Sequence, residues 1–193
     1  KENGLLVACH CEDLDIIDGG IINKGKISEE LGVKGMDRLS EDSITERALQ
    51  VRNFLTKKAN EFSIEVTFVA NKNIECTNDF SFEMIICEKV KDSADNYILE
   101  NAKENDLVIT KDIVLASKLV EKNIACINDR GTSFTQNNIK SLLEDRDFDF
   151  QIANCGLVKH FHEGYNKEKF FAFKKCFYKI IEELLSRQGK QPE

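Results

Sequence analysis

Proline is nearly absent from this chain: the one instance among 193 residues is Pro192, beside the end. Long apolar runs are missing as well. None approaches the ~18 consecutive residues that a membrane helix requires, and Leu5 to Ala8 is too short for a secretory leader. These absences predict a protein without a membrane partner, in the cytoplasm. The seven cysteines (9, 11, 76, 87, 126, 155, 176) are odd in number and lack framework spacing. A disulfide scaffold is thereby excluded, and the thiols read as reduced, mostly small core residues. Basic excess is lacking too. Lys and Arg total 27 against 34 acids, a net charge of −7, of which residues 1–50 carry −5 and residues 51–193 carry −2. Lysine clusters occur at Lys57-Lys58 and from Lys167 to Lys179. Charge alone gives no case for tight non-specific nucleic-acid binding, though a local patch is compatible with it. Histidine is also scarce. Cys9-His10-Cys11 offers three zinc-ligand types in a row, but adjacent ligands strain a tetrahedral site and no second pair exists. His160 and His162 read as surface-loop residues.

What is present is alternation of short apolar strands with amphipathic helices in a chain long enough for one domain with a sizeable core. Strands are predicted at Leu5–Ala8, Ile64–Ala70, Glu83–Glu88, Leu107–Thr110 and Ile124–Ile127. Ile44, Ala48, Val51, Leu55, Ala59 and Phe62 recur every three or four residues, one face of a helix. Ser43 and Glu46 form a candidate capping box for it. Further helices are expected from a Ser93 cap to Ala102, from Ile113 to Glu121, and after a Thr135 cap. The last runs from Lys167 to about Leu185, with Phe170, Phe173, Phe177, Ile180 or Ile181, and Leu184 as a core stripe. Such alternation predicts an α/β fold with a parallel sheet and right-handed crossovers.

The most informative stretch is Asp106-Leu107-Val108-Ile109-Thr110-Lys111-Asp112, a strand with an acid just past its carboxyl end. Ligands of open α/β sheets bind at that edge, and a carboxylate there suits a hard cation such as Mg²⁺ or Mn²⁺. Asp95, at the start of a helical pattern, is positioned to approach the same edge. Asp106 begins the strand and belongs about 16 Å away, at ~3.3 Å per residue; it reads as structural.

From about Val51 onward the chain resembles the bacterial YaiI/YqxD family, regarded as PIN-like domains. The residues carrying the likeness are Val69-Ala70-Asn71, Ala94-Asp95-Asn96, the Asp106–Asp112 stretch, Asn128-x-Arg130-Gly131, Phe134-Thr135, Asn138-Ile139, Arg146-Asp147-Phe148, Gly156 and the aromatic last helix. The resemblance implies a three-layer PIN-like (Rossmann-like) parallel sheet flanked by helices. It also implies a metal-dependent nuclease site in which Asp95 and Asp112 bind Mg²⁺ or Mn²⁺ and act in catalysis. Asn71 and Arg130 match positions suited to an anionic ligand, Arg130 through its fork of donors. The family's first strand ends in Asp-x-Asp-x-Cys-Pro. Here Ser43 and Thr45 stand where those acids belong, and neither the Cys-Pro step nor a later Gly-Gly-Pro is present. Two carboxylates are few for retaining Mg²⁺, so an impaired nuclease is expected.

Residues 1–50 resemble instead an internal fragment of dihydroorotase, an amidohydrolase. The likeness rests on Val7-Ala8-Cys9-His10-Cys11-Glu12-Asp13, Gly19-Gly20, Asn23-x-Gly25 and Leu31-Gly32. In that family the histidine equivalent to His10 is a metal ligand. The remaining ligands and the length of a barrel of typically ~250 residues are missing, so this part is expected to be an amidohydrolase fragment without activity. The chain thus divides into an N-terminal appendage, 1–50, and a PIN-like domain, 51–193, lacking its first strand. Leu5–Ala8 is a candidate to fill that slot, which would bring Cys9, His10, Glu12 and Asp13 toward Asp95 and Asp112. The competing reading is a non-catalytic module that binds RNA or a protein through the Arg130 loop and the Lys-rich last helix, or a chain with no function of its own.

Overall fold

The computed structural model describes residues 6–10, 22–23, 35–36, 38–74, 76–155 and 165–187, with backbone alone for 6–10, 22–23, 35–36, 38–47 and 153–154. The expectations for Cys11, Glu12, Asp13, Gly19-Gly20, Gly25, Gly32, Gly156, His160 and His162 lie outside the described residues.

The elements, in chain order, are β1 (Leu6–His10), β2 (Ile22–Asn23), β3 (Gly35–Met36), α1 (Arg38–Phe62), β4 (Glu65–Ala70), β5 (Glu83–Ile86) and α2 (Ser93–Asn101). They continue with β6 (Leu107–Ile109), α3 (Ile113–Glu121), β7 (Ala125–Ile127), β8 (Ser133–Phe134), α4 (Ile139–Asn154) and α5 (Lys167–Arg187). Six strands form one sheet in the order β5-β4-β1-β6-β7-β8. All neighbours run parallel except β8, which pairs antiparallel with β7. A separate two-stranded parallel ribbon joins β2 to β3.

β1 lies between β4 and β6. Leu6 to His10 pair with Glu65 to Val69, and Val7 to Cys9 pair with Leu107 to Ile109. The strand expected at Leu5–Ala8 thus lies inside the sheet, as Leu6–His10, between two parallel neighbours. Its sequence, Leu-Val-Ala-Cys-His, is apolar almost throughout, as a strand between two others in a parallel sheet requires.

Side chains alternate across the sheet with a period of two. Val66, Phe68, Ala70, Leu107, Ile109 and Ile127 gather on one face with residues of α1 and α5. Val69, Val108 and Cys126 gather on the other with Ala94 and Ile98 of α2 and Leu115, Ala116 and Leu119 of α3. The aromatic stripe of α5 is core, as its spacing predicts: Phe173, Phe177, Ile181 and Leu184 are fully or almost fully buried. Phe54 of α1 meets the rings of Phe170, Phe173, Phe177 and Tyr178 edge-on, at 5.3–5.9 Å. Such pairs each add about 0.5–1.5 kcal/mol beyond simple burial. The β4–β5 connection is pinned to α1 by Asn78, whose Nδ2 donates to Thr56 Oγ1 at 2.8 Å and to the Asn53 carbonyl at 3.1 Å.

Local signals were less faithful than the pattern. α1 begins at Arg38, so Ser43 and Glu46 lie inside it rather than at a cap. Arg38, Leu39 and Glu41 are competent helix formers, and nothing in them stops the helix from extending toward its N-terminus. Ser93 does not cap α2 either. Asp92 is the N-cap residue, in a left-handed conformation with φ 61°, and Ser93 Oγ donates to the Glu88 carbonyl. Before α4, Asn138 Oδ1 accepts from Thr135 N–H at 2.8 Å. Thr135 supplies its carbonyl to Ile139 N–H. No helix among the described residues is long and apolar enough to cross a membrane.

Candidate functional site

The carboxyl edge of the sheet collects residues from several strand ends. Thr110 N–H donates to the Ile127 carbonyl at 3.0 Å, continuing the β6–β7 pairing one residue beyond the strands. The next pair in that register is Lys111 and Asp129. Lys111 Nζ and Asp129 Oδ2 are 3.7 Å apart, an ion pair between partly covered side chains. Asp129 is 8% exposed.

Asp112 follows. Its Oδ1 accepts from Val114 N–H at 2.7 Å and Leu115 N–H at 2.9 Å, capping α3. Thr110 Oγ1 accepts from Asp112 N–H at 3.0 Å, which fixes the turn leading into the helix. A carboxylate is favoured here twice, by the orphan N–H groups and by the positive end of the helix dipole. The cap uses Oδ1 for both bonds; Oδ2 takes no part in it.

Asp95 sits in the first turn of α2, half-buried, on the helix that follows the carboxyl end of β5. One carboxylate oxygen of Asp95 and one of Asp129, Oδ1 in each case, is buried without a hydrogen bond, while both residues engage neighbours through other interactions. Asn71 is half-buried, one residue past β4. Arg130 is exposed in the loop after β7. In that loop Asn128 Oδ1 accepts from Arg130 N–H at 3.0 Å and Thr132 N–H at 2.8 Å. His10 is the last residue of β1, in register with Val69. Its side chain lies outside the described ones. Asp106, at the far end of β6, is 3% exposed; its Oδ2 accepts from Lys103 N–H at 2.7 Å, which makes it a turn residue.

His10, Asn71, Asp112 and Arg130 thus lie at or within three residues of the carboxyl ends of parallel strands, whereas Asp95 follows the end of β5 by nine residues. Among the described residues no three of His, Cys, Asp or Glu stand close enough together to hold a metal ion. Asp129 was missed in the sequence reading, although the signal was there. It lies just beyond an apolar strand, as Asp112 does.

Two contacts bind the Asp129–Arg130 loop to α5 and the residues that lead into it. Tyr165 Oη donates to the Asp129 carbonyl at 2.9 Å. Gly131, with φ +88°, presses on the helix so closely that a Cβ there would stand 2.5 Å from the Ala172 carbonyl carbon and 2.8 Å from Phe173 N. At the opposite end of the sheet, Glu183 and Arg187 border the same cleft as Ala125, the first residue of β7. α5 therefore runs antiparallel to β7, with its N-terminal half beside the acidic edge.

Burial sets three of the described thiols apart. Burial pushes the Cys126 thiol far above its ordinary range, and it raises Cys87 and Cys176 in the same direction. Cys155, expected among small core residues, is exposed instead; it follows α4, in which residues 144–151 are all exposed.

The sequence profile of the family described as "Uncharacterized BCR, YaiI/YqxD family" matches residues 44–183. A "UPF0178 protein" of Treponema denticola is 34% identical over 143 residues, covering 74% of this chain and 88% of that protein. Another, of Pseudoalteromonas atlantica, is 38% identical over 120 residues, covering 62% and 82%. A third, of a Marinomonas species, is 34% identical over 131 residues, covering 68% and 88%. No solved structure matches the chain.

Proposed function

The chain belongs to the YaiI/YqxD family, and from that premise we propose that it is a PIN-like, metal-dependent nuclease-type protein with a weakened cation site, acting on RNA. The observation that supports this most is the row of acids at the carboxyl edge: Asp112 beyond β6, Asp129 beyond β7, and Asp95 in the first turn of α2. Carboxylate oxygens are the right donors for Mg²⁺ or Mn²⁺. Mg²⁺ keeps several waters and is commonly held by one or two carboxylates together with substrate phosphates. A sparse acidic edge fits such a site better than it fits a closed cage. What a bound cation supplies is stabilisation of charge developing on a phosphoryl group.

The chain's own residues divide the remaining work. Asp95 and Asp112 would offer the negative charge that holds the cation. Lys111 balances Asp129, and Arg130 with Asn71 would orient a phosphate. The family's first acids have no counterpart in Leu6–His10, so cation affinity and turnover are both expected to be low.

The test is calorimetric titration of the full chain with Mn²⁺, paired with cleavage of an end-labelled single-stranded RNA with and without EDTA. Asp112→Asn is the informative variant. Asn caps a helix about as well as Asp, so α3 is retained while the charge is lost. The expectation is measurable heat that Asp112→Asn lowers at least about tenfold in affinity, or ~1.4 kcal/mol. Absence of heat, or equal affinity in the variant, rejects the cation site.

A further inference from the structure

α5 does more than close the core. Between residues 165 and 180 it carries five lysines against one acid, Glu168, in a chain whose net charge is −7. Phe171 is the one ring of its aromatic series left in solvent, 65% exposed, while Phe173 and Phe177 are fully buried. On a helix, positions three and four residues away share a face. The neighbours of Phe171 on that face are Lys167, Glu168, Lys174 and Lys175, three cations to one acid. Lys174 Nζ lies 4.9 Å from the centre of the Phe170 ring and 5.9 Å from that of Phe171. Exposed Arg130 adjoins the same half of the helix, because Gly131 abuts Ala172 and Tyr165 holds the Asp129 carbonyl. A solvent-facing ring flanked by cations complements a planar, stackable group attached to a negatively charged chain.

We infer that the N-terminal half of α5, with the Arg130 loop, is a binding face for a single-stranded polynucleotide. An unpaired base stacks on Phe171, and backbone phosphates meet Lys167, Lys174, Lys175 and Arg130. Single strands suit this surface better than duplex, whose bases are already stacked and present no free face. The inference deepens the proposed function by naming how its substrate is held, and it needs no cation. The antiparallel course of α5 leads a strand bound there toward Asp129 and Asp112.

The test is fluorescence anisotropy of a labelled twelve-nucleotide oligouridylate with the full chain at low salt in EDTA. Chelation separates this question from the cation site: failure to bind Mn²⁺ leaves the anisotropy result standing. Phe171→Ala is expected to weaken binding by roughly tenfold, within the range of one lost stacking contact. The double change Lys174→Glu and Lys175→Glu should lower the slope of log affinity against log salt by about 1.4. Lys140→Glu, on exposed α4, should change neither. The chain has no tryptophan, so Phe171→Trp supplies a single indole whose fluorescence is quenched if a base stacks on it. That variant should bind at least as tightly as the parent. A DNA oligomer of equal length tells whether the 2′-hydroxyl contributes. The inference is overturned by absence of binding at low salt, by binding indifferent to both α5 variants, by equal affinity for duplex, or by co-sedimentation with phosphatidylserine vesicles in place of oligouridylate binding.

Discussion

Gly131→Ala tests whether the loop bearing Asp129 and Arg130 is held by its contact with α5. Two costs combine. Residue 131 has φ +88°, and left-handed backbone costs an L-residue roughly 1–2 kcal/mol. The new methyl would also stand 2.5 Å from the Ala172 carbonyl carbon, 2.6 Å from its oxygen and 2.8 Å from Phe173 N. Those atoms are helix backbone, anchored by the buried rings of Phe173 and Phe177, so the loop has to give way. Forcing extra volume into a packed contact adds typically about 1–3 kcal/mol. A loss near ~3 kcal/mol is expected, equivalent to a melting midpoint lower by roughly 6–12 °C in a domain of this size. Urea unfolding followed by circular dichroism measures it. Gly131→Asn separates the two costs, since Asn tolerates left-handed backbone but still carries a Cβ. If Asn restores the parent stability, the contact argument is wrong and only the dihedral matters. If Ala changes stability by less than ~0.5 kcal/mol, the range of inconsequential surface substitutions, the whole account of the loop fails.

Two further outcomes follow from the sheet. Removing residues 1–37 takes away β1 and uncovers the inner edges of β4 and β6, whose buried backbone groups pair with it. The shortened chain should lose its cooperative thermal transition and aggregate; a sharp transition with an unchanged urea slope would refute the placement of β1. The second outcome concerns Cys126. Burial raises its folded-state pKa above the ordinary value of 9.0. Below pH 9 both folded and unfolded thiols are protonated, and its contribution to stability is fully present. Above pH 9 the unfolded thiol ionises first, so stability falls by about 1.4 kcal/mol per pH unit from this group. Unfolding curves from pH 8 to 10.5 should flatten in Cys126→Ala, and an identical pH slope in the variant would remove Cys126 as the cause.

How much of this was readable in the residues depends on the range of the force involved. The two-sided apolar pattern of Leu107-Val108-Ile109 and the spacing of Phe173, Phe177, Ile181 and Leu184 report burial directly, and both segments take the predicted form. Phe171 falls off that stripe and is the ring left exposed. Caps were less legible. A Ser-x-x-Glu pattern marks a helix start only where the preceding residues resist helix, and Arg38-Leu39-Ser40-Glu41 do not. Asp112 was found because an acid after a strand is a local pattern. Its partnership with two helix N–H groups is local as well. The contacts of Asp129 are not. They join the loop after β7 to the residues after β6 through Lys111, and to the approach to α5 through Tyr165, 36 residues away. No window on the sequence contains them.

The position of β1 shows why fold and site separate in this chain. The family match covers residues 44–183, whereas β1 comes from residues 6–10, outside it, and sits near the middle of the sheet. A slot between two parallel strands selects for backbone pairing and for apolar side chains of moderate size on both faces. Leu-Val-Ala-Cys satisfies that demand although it lies outside the family match. A hydrolytic site selects for something narrower, a particular oxygen donor at the strand's end, and β1 ends in His10. Completing a sheet requires a hydrophobic pattern that many sequences share. Completing a cation site requires individual side chains, and a strand recruited for the first purpose carries no guarantee of the second. The acids of the proposed cation site, Asp95, Asp112 and Asp129, are borne by segments inside the family match, so a weak site on a well-paired sheet is the expected combination.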